Sequence, residues 1–190
     1  MLGEKELISG CAKGERAAQR ELYDRHCRRL MAVCLRYAKN APEAEDILQD
    51  AFVKIFKNLK TFRFESKLDT WMTRIVINLC LDQLRKQSRR KMESIEVMDE
   101  ESGGVERQMP VVTVNPTERL ERAELRQRID QALSQLSEAH RTVMVLHEFE
   151  GMEYKAIAKT MNCSIGTVMS RLFYARRKMA TLLQDLKTPE

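Results

Sequence analysis

Tyr154-Lys-Ala-Ile-Ala-Lys-Thr-Met161, then Asn162-Cys163-Ser164, then Ile165-Gly-Thr-Val-Met-Ser-Arg-Leu-Phe-Tyr-Ala-Arg-Arg-Lys-Met179: two helical stretches parted by three turn-forming residues have the spacing of a helix-turn-helix. In the second stretch and beyond it, Ile165, Val168, Leu172, Ala175, Met179, Leu182 and Leu186 recur every three or four residues, so that stripe is expected to face a core. The opposite side then carries Thr167, Ser170, Phe173, Tyr174 and Arg177, flanked by Arg171, Arg176 and Lys178. Hydroxyls and guanidinium groups suit base edges and phosphates, and an aromatic edge suits a thymine methyl, so this face fits a major groove. The competing reading is a purely structural bundle with a charged exterior. An exposed Phe-Tyr pair argues against it.

Upstream, Asn115-Pro116-Thr117-Glu118 opens a helix: Asn is a good N-cap, Pro fits the first helical position, and Glu can return the cap. That helix is expected to reach Leu136, with Leu120, Ile129, Leu133 and Leu136 apolar. Ser137 caps another helix predicted to run to Phe149 and to end at Gly151. With the helix-turn-helix these make a four-helix domain over residues 115–190.

A second informative stretch lies between Thr61 and Lys91. It joins aromatic side chains on which a base can stack (Phe62, Phe64 and the lone Trp71), a short polar loop from Phe64 to Lys67, and a long helix ending in a basic cluster. Those are three requirements of single-stranded DNA binding. On the helix, Arg74, Asn78, Asp82 and Arg85 form a polar stripe, and Leu68, Met72, Ile75 and Leu79 are expected to form the apolar one. The plainer reading is an amphipathic helix with a Trp in the core and a solvated basic end.

Residues 1–91 as a whole read as four helices: Glu4 to Cys11, stopping at Gly14; Glu15 to Lys39, with Leu22, Leu30, Val33 and Tyr37 inward; Pro42 to Leu59; and the Trp71 helix. The third carries Ile47, Leu48, Ala51, Phe52, Ile55 and Phe56 as a wide apolar stripe and Asp46, Gln49, Asp50 and Lys54 on its polar side. Residues 92–114 lack helical periodicity and read as a linker, with Val111 to Val114 the one strand-like run. The predicted fold class is therefore all-α: two helical domains joined by a flexible acidic linker.

Charge follows the same division. Residues 1–91 hold 20 Lys and Arg against 12 Asp and Glu, residues 92–118 hold 1 against 7, and residues 119–190 hold 12 against 9. Two basic blocks separated by an acidic one are the pattern of two nucleic-acid-facing modules. The five cysteines, at 11, 27, 34, 80 and 163, form no Cys-x-x-Cys pair and read as ordinary thiols. His26-Cys27 lacks a second ligand pair, so no metal is expected; no Gly-rich phosphate loop or nucleophile motif points to a cofactor or to catalysis. The opening Met-Leu-Gly-Glu-Lys-Glu-Leu is charged from its fourth residue, and no apolar run approaches membrane-spanning length. The expectation is a cytoplasmic protein that is not an enzyme and does not insert in a membrane.

Three motifs together resemble the bacterial sigma factors of the extracytoplasmic-function (ECF) group, in the sigma-70 family. Asp46-Ile-Leu-Gln-Asp50-Ala-Phe52 resembles the family's region-two helix that docks on core RNA polymerase. Phe62-Arg, Ser66, Thr70-Trp71, Arg74-Ile and Asn78 resemble the segment that melts and reads the −10 promoter element. Gly166-Thr-Val, Ser170-Arg171-Leu and Ala175-Arg176 resemble the region-four helix that reads the −35 element. The resemblance implies docking on the polymerase beta and beta-prime subunits through Asp46, Gln49, Asp50 and Phe52. It implies a base pocket in the loop Phe64, Glu65, Ser66 and Lys67, with Trp71, Arg74, Asn78 and Arg85 beside it. Thr167, Ser170, Arg171, Phe173, Tyr174 and Arg177 would address the −35 duplex of promoter DNA. It further implies an anti-sigma partner, and a linker that enters the polymerase near the RNA path. Met169 and Tyr174 stand where many relatives have Arg or another polar residue, and Phe64 where a small one is usual. A stand-alone helix-turn-helix regulator and a helical protein adaptor are the rival classes; binding promoter DNA only with core polymerase separates the first reading from both.

Overall fold

Four helices pack as the first of two compact units into which the chain divides. The computed structural model describes residues 3–93 and 116–184. Helix α1 (Glu4–Lys13) ends at Gly14, whose φ of 83° is the left-handed cap that glycine adopts without strain. It crosses α2 (Arg16–Leu35) closely: a Cβ at Gly10 would lie 2.8 Å from the Ala18 Cβ, so only glycine fits there. Helix α2 stops earlier than its apolar pattern predicts. Asn40 takes over as N-cap of α3 (Ala41–Asn58), accepting a hydrogen bond from the Glu43 N–H at 2.9 Å, and Pro42 occupies the first turn.

Helix α4 (Leu68–Glu93) lies against both α2 and α3. Having two neighbours widens and rotates its inner face. Leu68 and Met72 are buried as expected, but the rest of that face is Thr73, Val76, Ile77 and Cys80, while Ile75 and Leu79 are only half-buried. A single three-four stripe was the wrong template for a helix with two partners. Leu22, Leu30, Val33, Ile55, Met72 and Ile77 form the centre of this core. Cys34 and Cys80 bury their thiols in it, and hydrogen bonding to Cys34, reinforced by burial, pushes the Cys80 thiol far above its ordinary range.

The second unit begins with α5 (Pro116–Ser134) and α6 (Glu138–Met144). Ser137 caps α6 by accepting from the His140 N–H. Arg141 reaches back to the end of α5, donating to the carbonyls of Leu133 at 3.0 Å and Ser134 at 2.7 Å, groups that a helix terminus leaves unpaired. The helix predicted to continue to Phe149 instead widens into a π turn over Val145–Phe149. Thr142 through Leu146 are all buried, and a wider turn lets consecutive apolar residues face inward where an α-helix cannot. Helices α7 (Tyr154–Met161) and α8 (Ile165–Leu182) complete the unit around Ile157, Val168, Leu172 and Ala175. Among the described residues there is no strand, and no helix is long and apolar enough to cross a membrane. The acidic linker with its strand-like run, the Asn115 cap and Leu186 lie outside the described residues.

Candidate nucleic-acid interfaces and docking face

The turn between α7 and α8 is built from local chemistry. Asn162 takes left-handed φ and ψ of 49° and 52°, which Asn tolerates better than most residues, and the Cys163 N–H returns to the Ala158 carbonyl at 3.0 Å. Ser164 then caps α8: its hydroxyl accepts from the Thr167 N–H at 3.0 Å and shares a second hydrogen bond with the Thr167 hydroxyl at 2.8 Å. The Ser170 hydroxyl donates to the Thr167 carbonyl at 3.0 Å. Both hydroxyls are thus held by the helix itself and present their remaining capacity outward. A Cβ on Gly166 would meet only the Ser164 hydroxyl, at 3.8 Å, so nothing inside the chain requires glycine there. Its absence of a side chain leaves the first turn open to an approaching backbone.

Along the outer side of α8, Ser170, Phe173, Tyr174 and Arg177 are exposed and Thr167 and Arg171 half-buried. Phe173 and Tyr174 meet edge to face at 5.4 Å. Arg176 is bound by Glu148 through its Nε at 2.9 Å and its Nη2 at 2.7 Å; this hydrogen bond raises the guanidinium pKa and holds the Glu148 carboxyl below the usual range. Ile165, predicted to face the core, is 46% exposed, because the first turn of α8 extends beyond the core that Val168 reaches. Sequence reasoning placed the aromatic pair correctly on the outside. It placed Met169 on the groove side as well, where it is 54% exposed, but missed that Ile165 joins them, since an apolar residue at helical spacing reads as core.

In the first unit, Phe64 occupies the left-handed region at φ 56°, uncommon for a non-glycine residue and a mark of a loop held by its surroundings. Its ring is half exposed and rests on Phe62 at 4.9 Å; Phe62 rests in turn on Trp71 at 5.3 Å. Phe62 itself is buried, so it supports the other two rings rather than offering a face of its own. Glu65 and Lys67 are exposed, Ser66, Trp71 and Arg74 half-buried, and Asn78 and Arg85 exposed farther along α4. Arg85 lies 3.6 Å from Asp82 in a loose surface pair.

A side-chain tie that sequence reasoning did not find holds the start of α4. Arg29 on α2 donates to the Thr73 hydroxyl and to the Asp69 carboxylate, each at 2.9 Å, and His26 lies 3.0 Å from the same carboxylate. The His26 hydrogen bond, with the Arg29 charge, lowers the Asp69 pKa. No local pattern announces a contact across forty or more residues of sequence.

On α3, Asp46, Gln49 and Asp50 are exposed at positions that share one face, and Val53, 50% exposed, continues it by one turn. Phe52 does not belong to this face. It is 4% exposed and packs on Tyr23 at 4.7 Å, because its place in the helix turns it toward α2. The expectation that Phe52 offers a docking contact does not fit this burial; its ring lies behind the exposed Tyr23.

The molecule so described is a helix-turn-helix DNA-binding protein with a second helical unit carrying an exposed aromatic loop. Residues 22–90 match the family description Sigma-70 region 2, and residues 126–179 match Sigma-70, region 4. The RNA polymerase sigma-H factor of Pseudomonas aeruginosa is 33% identical over 184 residues, covering 96% of this chain and 95% of that one. The ECF RNA polymerase sigma-E factor of Escherichia coli K12 is 32% identical over 189 residues, covering 97% and 96%. The sigma factor RpoE of Bartonella quintana, solved with the anti-sigma factor NepR, superposes with a TM-score of 0.69 at 25% identity over 87% of this chain and 96% of that one. CnrH, solved with the cytosolic domain of CnrY, shares the fold with a TM-score of 0.64 at 23% identity over 97% and 99% of the two chains. The chain belongs to the sigma-70 family, as a sigma factor of the ECF type.

Proposed function

We propose that this protein is a promoter-specificity subunit that binds core RNA polymerase, carries it to chosen promoters and starts their opening. Residues 1–91 serve docking and the −10 element, residues 92–114 link, and residues 115–190 read the −35 element. The observation that carries this reading is the pairing, in one chain, of two different faces. One is a helix-turn-helix whose α8 has four basic residues, Arg171, Arg176, Arg177 and Lys178, and no acidic one. The other is a stacked aromatic loop at the head of a helix running into a basic cluster. Duplex reading suits the first and single-strand capture the second.

On this reading Asp46, Gln49 and Asp50 meet the polymerase beta-prime subunit, with the beta subunit also in contact with the bound protein. Phe64, Glu65, Ser66 and Lys67 receive an extruded base, and Trp71, Arg74, Asn78 and Arg85 line its path. Thr167, Ser170, Arg171, Phe173, Tyr174 and Arg177 enter the −35 groove. The protein acts in the cytoplasm and performs no catalysis itself. The likeness to a sigma factor solved with NepR supports control by an anti-sigma factor that covers the polymerase-binding faces.

The test is promoter binding and opening with and without core polymerase, followed through Asn78→Ala. Extruding a base costs a few kcal/mol, about what pocket contacts return. Asn78→Ala should leave closed-complex binding intact and impair permanganate-detected opening, with partial rescue on a pre-melted template. Tight promoter binding by the protein alone would instead establish a stand-alone regulator.

A further inference from the structure

Nine large apolar side chains are exposed among the described residues, and four of them, Ile165, Met169, Phe173 and Tyr174, lie on the single helix α8. Ile165, Met169 and Phe173 are spaced by four, so they form one stripe, 46%, 54% and 61% exposed, on a side of the helix that its core-facing residues do not use. Basic residues flank the stripe and α8 has no carboxylate, so the surface selects a polyanion; the helix-turn-helix geometry selects the duplex groove. Arg177 continues the same row one turn beyond Phe173, and Arg176 beside it is engaged by Glu148. From Ile165 to Phe173 the row itself is hydrocarbon and thioether. In a major groove the one apolar group displayed by a base pair is the 5-methyl of thymine.

We propose that Ile165, Met169 and Phe173 read thymine through its 5-methyl group, so that apolar contact sets part of the −35 preference of this protein. The inference rests on the reading of α8 as the −35 helix and adds to it the chemistry by which one side of that helix discriminates. The stripe spans eight residues, about 12 Å along the helix. At about 3.4 Å per base pair, that reaches three or four base pairs, within which the contacted thymines fall. Met169 suits the role because an unbranched thioether adapts to a methyl without a fixed hydrogen-bond geometry.

The experiment uses holoenzyme assembled from core polymerase and the full chain. Duplexes randomised over the −35 element are selected for binding, and each thymine of the winner is then replaced by deoxyuridine, which removes only the methyl. Binding should fall about fourfold at each contacted position, the worth of one buried methylene. Met169→Ala should erase the penalty at one of these positions, Phe173→Ala at another, and Ser170→Ala at neither. Met169→Leu, which keeps an apolar side chain, should retain it; as Met169 is more than half exposed, none of its variants disturbs the core. If selected duplexes bind yet every deoxyuridine is tolerated, or the penalties survive both alanine variants, methyl reading is overturned while the −35 reading stands. If no −35 sequence is selected at all, the −35 reading itself fails and methyl reading with it.

Discussion

Replacing Arg29 by Met tests whether promoter opening depends on how firmly α4 is anchored. The substitution keeps an apolar stem of similar length and removes the guanidinium, so packing along α2 is largely preserved. Its hydrogen bonds go with it, among them those to the Thr73 hydroxyl, where Thr73 is 1% exposed, and to the carboxylate and, at 3.4 Å, the carbonyl of Asp69, whose side chain is 56% exposed. A charged hydrogen bond in a buried setting contributes about 1.5–3 kcal/mol. The Asp69 contact is discounted to the surface value of about 0–1 kcal/mol, because solvent screens it. The expected loss is therefore about 2–3 kcal/mol, concentrated in the first unit. For a unit of this size that lowers its melting temperature by roughly 10–20 °C. Urea titration followed through Trp71, the sole tryptophan, reports on this unit alone. Because Asp69 lies two residues beyond the loop Phe64–Lys67, the same variant should slow promoter opening at temperatures where it is still folded. Unchanged stability would refute the assigned weight of the tie. Lost stability with normal opening would refute its link to the loop.

Asp50→Arg, on the exposed face of α3, should leave the fold intact and weaken core polymerase binding by about 2–5 kcal/mol if the contact is buried and paired, measured by titration against core enzyme. Ser170→Ala should cost about 1–3 kcal/mol on the preferred −35 sequence and relax preference at one position, read by competition between duplexes; equal weakening on all sequences would move Ser170 to a phosphate contact. Asp69 has a folded pKa below its ordinary value, so its contribution is complete above the usual carboxylate range and is lost as pH falls through the lowered pKa. Asp69→Asn should therefore flatten the acid limb of the first unit's stability curve, followed by Trp71 fluorescence, and a limb of unchanged steepness would place the acid sensitivity elsewhere.

Much of the fold was legible because local rules and tertiary demand coincided. Val168, Leu172, Ala175 and Met179 are spaced for a helix and are buried, and Asn162 and Ser164 supply the left-handed turn and the cap that the geometry needs. Legibility failed where a second neighbour or a long-range contact decided the outcome. Two packing partners turned Thr73, Val76 and Ile77 inward on α4 and left Ile75 and Leu79 at its margin. Phe52 sits within a motif that resembles a docking segment, yet its direction along α3 carries it into the core. The Arg29, Asp69 and Thr73 tie joins residues 40 and 44 positions apart, beyond the reach of any periodic pattern.

The remaining departures have a different cause. Phe64 holds a positive φ that a small residue would adopt more readily, Gly166 stands in the first turn of α8 where no neighbour requires glycine, and Ile165, Met169 and Phe173 expose apolar surface that a solvated helix would not carry. None of these choices improves the folded chain considered by itself. A sequence that satisfies its own fold elsewhere and violates local preference at a few places is shaped at those places by something it must bind. These particular departures lie in the loop before α4 and on the outer side of α8, the two surfaces that a melted strand and a duplex groove would occupy on the proposed reading.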